Sequence, residues 1–296
     1  HAGIHHFDVL RCGGFGNFFP LWLRAEGWSE PDIGWVNGVR MACLVVFPVL
    51  WGRVADRVGS PVPVLRIMAI GAAIAWIPMV TTSAFWPVMA ALTVASVFQY
   101  GMVPATDTYA LRHIARVGGD YGRIRLWGSA AFIVGGIALG QLLEVTGPGG
   151  TPGALLAMWC VLVLVILLTP IHTREARSSG SHLTALTRIL VIPRLRALYI
   201  VTFLSRLGAQ GLYVFLPLHL KDLGVTDAEI PWFWAVGVLS EIVLLHQAPR
   251  LFGRFRPSRV LVGCFALAAV QAGLMAAIET SWLVYPVMLL HGMTFG

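Results

Sequence analysis

Charge is scarce in this sequence: Asp, Glu, Lys and Arg make up 12% of its 296 residues, against about 25% in soluble domains. So few charges cannot clothe a water-soluble surface, and a hydrophobic content of 57% also excludes disorder, because so apolar a chain does not stay solvated. Lysine is nearly missing, with Lys221 the single one among 21 basic residues. The cysteines, Cys12, Cys43, Cys160 and Cys264, each stand alone in an apolar stretch. Without a CxxC or metal-ligand spacing, a disulfide framework is excluded and no metal is expected. No GxxxxGK[ST] occurs, which argues against an ATP-driven pump. No GxSxG occurs either, and the histidines are scattered, so no nucleophile–base set points to an enzyme. No cofactor is expected. The chain starts at His1 without a secretory leader, and both ends read as trimmed, so a fragment is expected.

Long apolar runs are abundant. A helix needs about 20 mostly apolar residues to cross the roughly 30 Å hydrocarbon core. Divided at charges and Gly/Pro turns, the sequence predicts spans at 4–23, 32–51, 64–81, 85–107, 125–143, 153–171, 197–218, 230–248 and 259–278, with a tenth starting at 282. The fold class is therefore all-α and polytopic. Stretches such as 154–169 are apolar on every face, whereas a β-barrel needs alternation with period two.

With the N-terminus in the cytoplasm, 16 of the 21 basic residues fall on the cytoplasmic side, and the opposite loops keep only Arg24 and Lys221. That is the positive-inside pattern of a multi-pass protein of the cytoplasmic (inner) membrane. The basic excess is topological, so the bilayer is the expected partner and nucleic acid is not.

Residues 20–35 (PLWLRAEGWSEPDIGW) and 217–232 (PLHLKDLGVTDAEIPW) repeat at an offset of 197. Identical pairs are Pro20/Pro217, Leu21/Leu218, Leu23/Leu220, Gly27/Gly224, Ile33/Ile230 and Trp35/Trp232, with Arg24/Lys221 and Ser29/Thr226 alike. Arg53/Arg250 and Arg57/Arg254 keep the same offset. The second copy begins after six spans, so both copies share an orientation, which is a parallel duplication of two six-helix halves. The expected organisation is an N-terminal bundle at 1–171, a polar cytoplasmic linker at 172–196 and a second bundle at 197–296. By the repeat logic about 100 further residues would complete that second bundle.

Gly52-Arg53-Val54-Ala55-Asp56-Arg57-Val58-Gly59, after the second span, resembles the G-x-x-x-D-R-x-G loop of the major facilitator superfamily. The trailing basic residues of that motif are replaced by Ser60-Pro61, leaving Arg66 as the nearest substitute. The resemblance implies a cytoplasmic gate at Gly52, Asp56, Arg57 and Gly59. Residues 121–129 (YGRIRLWGS) resemble the phenylpropionate-transporter and sugar/proton-symporter branches, the latter lactose-permease-like. In those symporters a helix-4 carboxylate and a helix-5 Arg bind substrate, positions matched here by Asp107 and Arg125. Leu290-His291 resembles a Leu-His whose His couples protons, but Thr294 stands where the symporters carry a Glu.

Asp8, Arg11, Arg40, Asp107, Arg206 and Glu241 lie inside the predicted spans. Each unpaired charge at mid-bilayer costs about 2.5–3.5 kcal/mol on insertion scales, so these groups must pair or face a water-filled space. Asp8 and Arg11, three apart on one face, suit mutual neutralisation. Arg40, Arg125 and Arg206 favour an anionic substrate, with Phe132 among the deeper aromatics available for stacking. Glu241, among Val238, Leu239, Ile242 and Val243, is the expected proton carrier, with His291 and Asp107 as the other candidates. The reading is a secondary transporter, a monomer, whose partners are protons and a small organic solute, an aromatic or other carboxylate. A sugar or nucleoside proton symporter and a drug exporter of the same fold are the alternatives, with an integral-membrane enzyme or a receptor outside the transport class.

Overall fold

The computed structural model describes residues 18–118, 121–170, 191–254 and 257–295. The chain forms two compact units, His1–Arg177 and Ser178–Gly296. All regular structure among the described residues is helical. Six stretches are long and apolar enough to cross a membrane, Glu30–Val58, Pro61–Thr81, Phe85–Arg116, Leu126–Thr146, Pro148–Leu168 and Arg259–Ala277, and Ile230–Leu244 is a shorter apolar one. Residues 1–17, including Asp8 and Arg11, and 171–190 of the expected linker lie outside the described residues.

In the first unit α1 covers 18–25 and α2 runs Glu30–Val58. Then come α3 (Pro61–Trp76), α4 (Pro78–Thr81), α5 (Phe85–Gln99), α6 (Met102–Val117), α7 (Tyr121–Thr146) and α8 (Thr151–Leu168). Helix α3 is the centre, packed against α2, α5, α6 and α8. Its buried residues Leu65, Met68, Ala69, Ala72 and Trp76 recur every three or four positions, which puts them on one face. Indole donors lock this packing across helices. Trp76 Nε1 donates to the Pro152 carbonyl at 3.0 Å, and Trp51 Nε1 donates to the Val97 carbonyl at 2.7 Å, just before α5 gives way to α6. Trp28 Nε1 likewise donates to the Ser83 carbonyl at 2.9 Å. Trp51 thus serves as an interhelix donor, and Trp28 ties the turn before α2 to the segment before α5.

The segment expected as a loop after the second span is helical through Val58, and the turn is confined to Gly59 and Ser60. At 29 residues α2 is about 44 Å long, well beyond the roughly 30 Å hydrocarbon core. Charged side chains mark where lipid ends, not where a helix must stop. The stop is set by Gly59, in the left-handed region at φ 76°, followed by Pro61.

The second unit contains α9 (Pro193–Asp222), α10 (Ile230–Arg254), α11 (Pro257–Ala277), α12 (Val284–Met288) and α13 (His291–Phe295). Helix α13 packs on α10 and α11. At that crossing the backbones nearly touch: a Cβ on Gly292 would lie 2.6 Å from the Ser240 carbonyl carbon. Only glycine fits such an approach.

The two repeat segments adopt the same turn. Gly27 and Gly224 sit at φ 85° and 81°, a conformation in which a Cβ is strained. In the first turn, amides of Glu26, Gly27 and Trp28 bond the carbonyls of Trp22, Arg24 and Leu23. In the second, amides of Leu223, Gly224 and Val225 bond His219, Lys221 and Leu220, and all six distances are 3.0 Å. These are Schellman closures, which satisfy the last carbonyls of a helix. The entries that follow are capped alike, by Ser29 with Asp32 and by Thr226 with Glu229. An ion pair spans each turn, Arg24–Glu30 and Lys221–Asp227, both at 2.9 Å. Every one of these pairs keeps the offset of 197.

Candidate functional site

In the first unit the polar centre lies on the packed face of α2, made by Ile33, Val36, Asn37, Arg40 and Cys43. Arg40 is 9% exposed and Asn37 5%. Arg40 Nη1 donates to Asn37 Oδ1 at 2.6 Å, and Asn37 Nδ2 donates one turn back to the Ile33 carbonyl at 2.8 Å. A guanidinium this deep requires hydrogen-bond acceptors, and charge-assisted bonds to it are the short, strong ones. Asn37 was not singled out in the sequence. The signal was its place three residues before Arg40, on the same helix face.

Asp107 is half-buried on α6, which packs against α7, the helix that carries Arg125 and the half-buried Phe132. The side chains of Arg125 and Arg206 lie outside the described residues. Gly52, Asp56 and Arg57 ride on the last two turns of α2, and Gly59 closes it. Arg66 lies on α3. Its Nη2 donates to the carbonyls of Leu167 and Thr169, at 3.0 and 2.9 Å, so it caps the C-terminal end of α8, where a cation also meets the negative pole of the helix.

In the second unit the polar groups gather where α12 gives way to α13. His291, the first residue of α13, is 3% exposed, and its Nε2 lies 3.5 Å from the Tyr213 hydroxyl. Tyr213 stacks on Trp234 at 5.1 Å between ring centroids, and His291 meets both rings edge-on. Thr294 Oγ1 donates to Gln271 Oε1 at 2.9 Å, while Gln271 Nε2 reaches the Val287 carbonyl at 3.4 Å. His291, Tyr213, Gln271 and Thr294 line a cavity of about 340 Å³ together with apolar residues such as Leu204 and Phe265. Glu241 is 5% exposed on α10. Its backbone amide lies at the Gly292 approach, which brings it beside the turn that bears His291. Ser240 ties the crossing: its Oγ donates to the Gly237 carbonyl at 2.6 Å and accepts from the Gly292 amide at 3.0 Å. Gln271, Trp234 and Ser240 were missed in the sequence. Gln271 alone left a signal, an isolated amide in an apolar run.

The chain is 29% identical over 302 residues to the maltose permease of Geobacillus stearothermophilus, an alignment covering 98% of this chain and 74% of the permease. It is 24% identical to a protein of Escherichia coli (strain K12) described as a probable 3-phenylpropionic acid transporter, over 96% of this chain and 75% of that one. Among solved structures, the nucleoside transporter NupG superposes with a TM-score of 0.80 at 19% identity, covering 99% of this chain and 78% of that chain. With its long apolar helices and inward-set polar residues, this multi-pass membrane transport protein belongs to the MFS_1 like family, whose model matches residues 9–296.

Proposed function

We propose that the chain carries an aromatic or other small carboxylate, together with protons, across the cytoplasmic membrane by alternating access. The observation that carries this reading is Arg40, 9% exposed on an apolar helix of 29 residues. Cations at membrane depth mark substrate pathways, and a carboxylate is the planar acceptor that a guanidinium matches best. Arg125 and Arg206 add cationic character, Asp107 and Arg125 form a gripping pair whose bond a substrate exchanges for its own, and Phe132 stacks on the ring. The E. coli relative, by its description, handles a solute of this class. Glu241 carries the coupled proton, with His291 and Asp107 in support, because ionisable groups at membrane depth mark proton relays. Gly52, Asp56, Arg57 and Gly59 gate the cytoplasmic side. The protein works as a monomer, with its N-terminus in the cytoplasm.

The test is uptake of labelled 3-phenylpropionate into proteoliposomes, with and without an inward proton gradient. Gradient-driven accumulation is expected, lost in Glu241→Gln with exchange retained, and strongly weakened in Arg40→Gln. Wild-type uptake by Arg40→Gln overturns the carboxylate assignment.

The lining of the second unit's cavity, with Gln271, Thr294, His291 and Tyr213 and no Asp, Glu, Lys or Arg among the described residues, supports a second reading, a sugar or nucleoside as the solute. Under that reading maltose or uridine is taken up and Arg40→Gln leaves the uptake intact.

A further inference from the structure

We infer that Trp51 is a positioning residue for Asp107, setting the direction in which α6 leaves α5; this rests on the reading above of Asp107 as a solute-gripping carboxylate. The two helices belong to one apolar stretch, Phe85–Arg116, interrupted at Tyr100 and Gly101. The cause is local. Pro104 has no N–H to give the Tyr100 carbonyl one turn back, and its ring crowds that carbonyl. The Val97 carbonyl, which would accept from the Gly101 amide in an unbroken helix, here accepts from Trp51 Nε1 at 2.7 Å. An unsatisfied carbonyl is costly in an apolar bundle, and an indole from α2 supplies the bond that the break removes.

The ring also packs. A Cβ on Gly101 would lie 2.6 Å from the Trp51 ring and 2.6 Å from Met68 Sδ, so the indole of α2 and the thioether of α3 both press on the backbone of the joint. The end of α5 is itself fixed: its Phe98 ring comes within 2.7 Å of where a Gly71 Cβ would stand on α3, and lies 5.7 Å from Trp51 between ring centroids. With α5 held, the angle of α6 is what the wedge sets. Asp107 stands six residues beyond Gly101, about 9 Å along the helix axis. A change of about 10° at the joint carries it about 1.5 Å, a displacement that matters for a group in contact with solute. Hydrogen bond and wedge come from one residue, on the end of α2 that also bears Asp56 and Arg57.

The test uses the full chain in proteoliposomes with 3-phenylpropionate as the transported probe, or maltose or uridine where the wild type carries those instead. Trp51→Phe, which keeps a ring and loses the N–H, should raise KM about tenfold, with the maximal rate nearly kept. Trp28→Phe is the control. It removes a like indole–carbonyl bond, to Ser83 at 2.9 Å, ahead of the other end of α5, and should lower the melting temperature similarly with KM unchanged. A structural role alone predicts that both variants move KM alike; that result, or a wild-type KM in Trp51→Phe, overturns the inference. If Trp51→Phe does not fold, Gly101→Ala, whose added carbon displaces the indole from the other side, decides, and a wild-type KM there overturns it. Spin labels give a readout that needs no solute. With the four native cysteines replaced by serine, labels on Leu111→Cys paired with Val45→Cys and with Leu164→Cys, all at exposed positions, report the direction of α6. Leu111 is ten residues beyond Gly101, so Trp51→Phe should shift or broaden at least one of the two distances by about 2–3 Å, and Trp28→Phe neither. Unchanged distances in Trp51→Phe overturn the inference. Asp107→Asn separates the two levels. A wild-type KM in that variant means the gripping role of Asp107 has failed, whereas a raised KM there with wild-type behaviour in Trp51→Phe means that only the role of Trp51 has.

Discussion

The hairpin joining α1 to α2 and the one joining α9 to α10 share a turn and differ just beyond it. Both close on a left-handed glycine, both carry an ion pair at 2.9 Å, and both cap the next helix with a hydroxyl and a carboxylate. Within the following helix, Asn37 and Arg40 are replaced by Trp234 and Gly237, and Leu44 by Glu241. The turn is kept because it aims the two helices it joins, a requirement that both copies share. The inward face carries different chemistry in each, a held cation in one and stacked aromatics, a tight backbone crossing and a carboxyl in the other.

A second contrast sets α3 beside α11. Apolar windows within Pro61–Thr81, which is α3 with α4, and within Arg259–Ala277 have similar mean hydropathy, 1.8 and 2.1, yet 39% of the first and 11% of the second is buried. Apolar content keeps a helix in the membrane. Whether its neighbour is lipid or protein depends on which elements cover it, and α8 covers α3.

These contrasts can be tested by substitution, with unfolding followed in detergent. The largest effect is expected for Trp234→Ala. The ring is 3% exposed and stacked on Tyr213, so its loss should cost about 3–5 kcal/mol, whereas Asn37→Ala, its counterpart, should cost about 1 kcal/mol. Similar losses in both would break the distinction between a packing residue and a hydrogen-bonding one. Next, Gly292→Ala should cost about 1–3 kcal/mol, because the added carbon meets the Ser240 backbone, which cannot swing aside. Gly38→Ala, with nothing within 4 Å of its Cβ, is the control and should be neutral. Smaller still, Gly27→Ala and Gly224→Ala should each cost about 1–2 kcal/mol from backbone strain alone, since neither Cβ meets a neighbour. Unequal costs would show that the two turns are not energetically equivalent.

The smallest effect concerns the second cap. Glu229 is held below the usual carboxylate range, first by the Thr226 backbone amide and then by its hydroxyl. A carboxyl whose folded pKa is depressed contributes stability above its unfolded value, about 4.3, and that contribution is lost as pH falls through the lower folded value. The difference in melting temperature between wild type and Glu229→Gln should therefore be present at neutral pH and vanish in acid. A constant difference would assign the cap to shape instead of charge.

The membrane class, most helix positions and the repeat were legible in the sequence, because apolar run length and turn glycines are local properties. Helix ends were less so. Span 2 was read as stopping at Trp51, where charge begins, but α2 continues through seven more residues to Val58. The repeat reading found Gly27/Gly224 and Arg24/Lys221 and overlooked their acidic partners. Glu30/Asp227 and Asp32/Glu229 differ in length, and their equivalence shows only when the bonds are compared. The partners of Arg66 were not legible for a related reason: its acceptors lie 101 and 103 residues away.

The sequence by itself determined that the chain lives in a bilayer, that it carries two copies of one hairpin, and which few ionisable groups fall within apolar runs, because hydropathy, glycine placement and charge are written residue by residue. Tertiary structure alone decided what those groups face. Asn37 meets Arg40 through one turn of helix, but His291 meets Tyr213 and Trp234 from other helices, and Thr294 finds Gln271 across 23 positions of chain. In lipid every helix is apolar on most sides, so the pattern along the chain does not tell the protein-facing side from the lipid-facing one, and only packing makes that distinction.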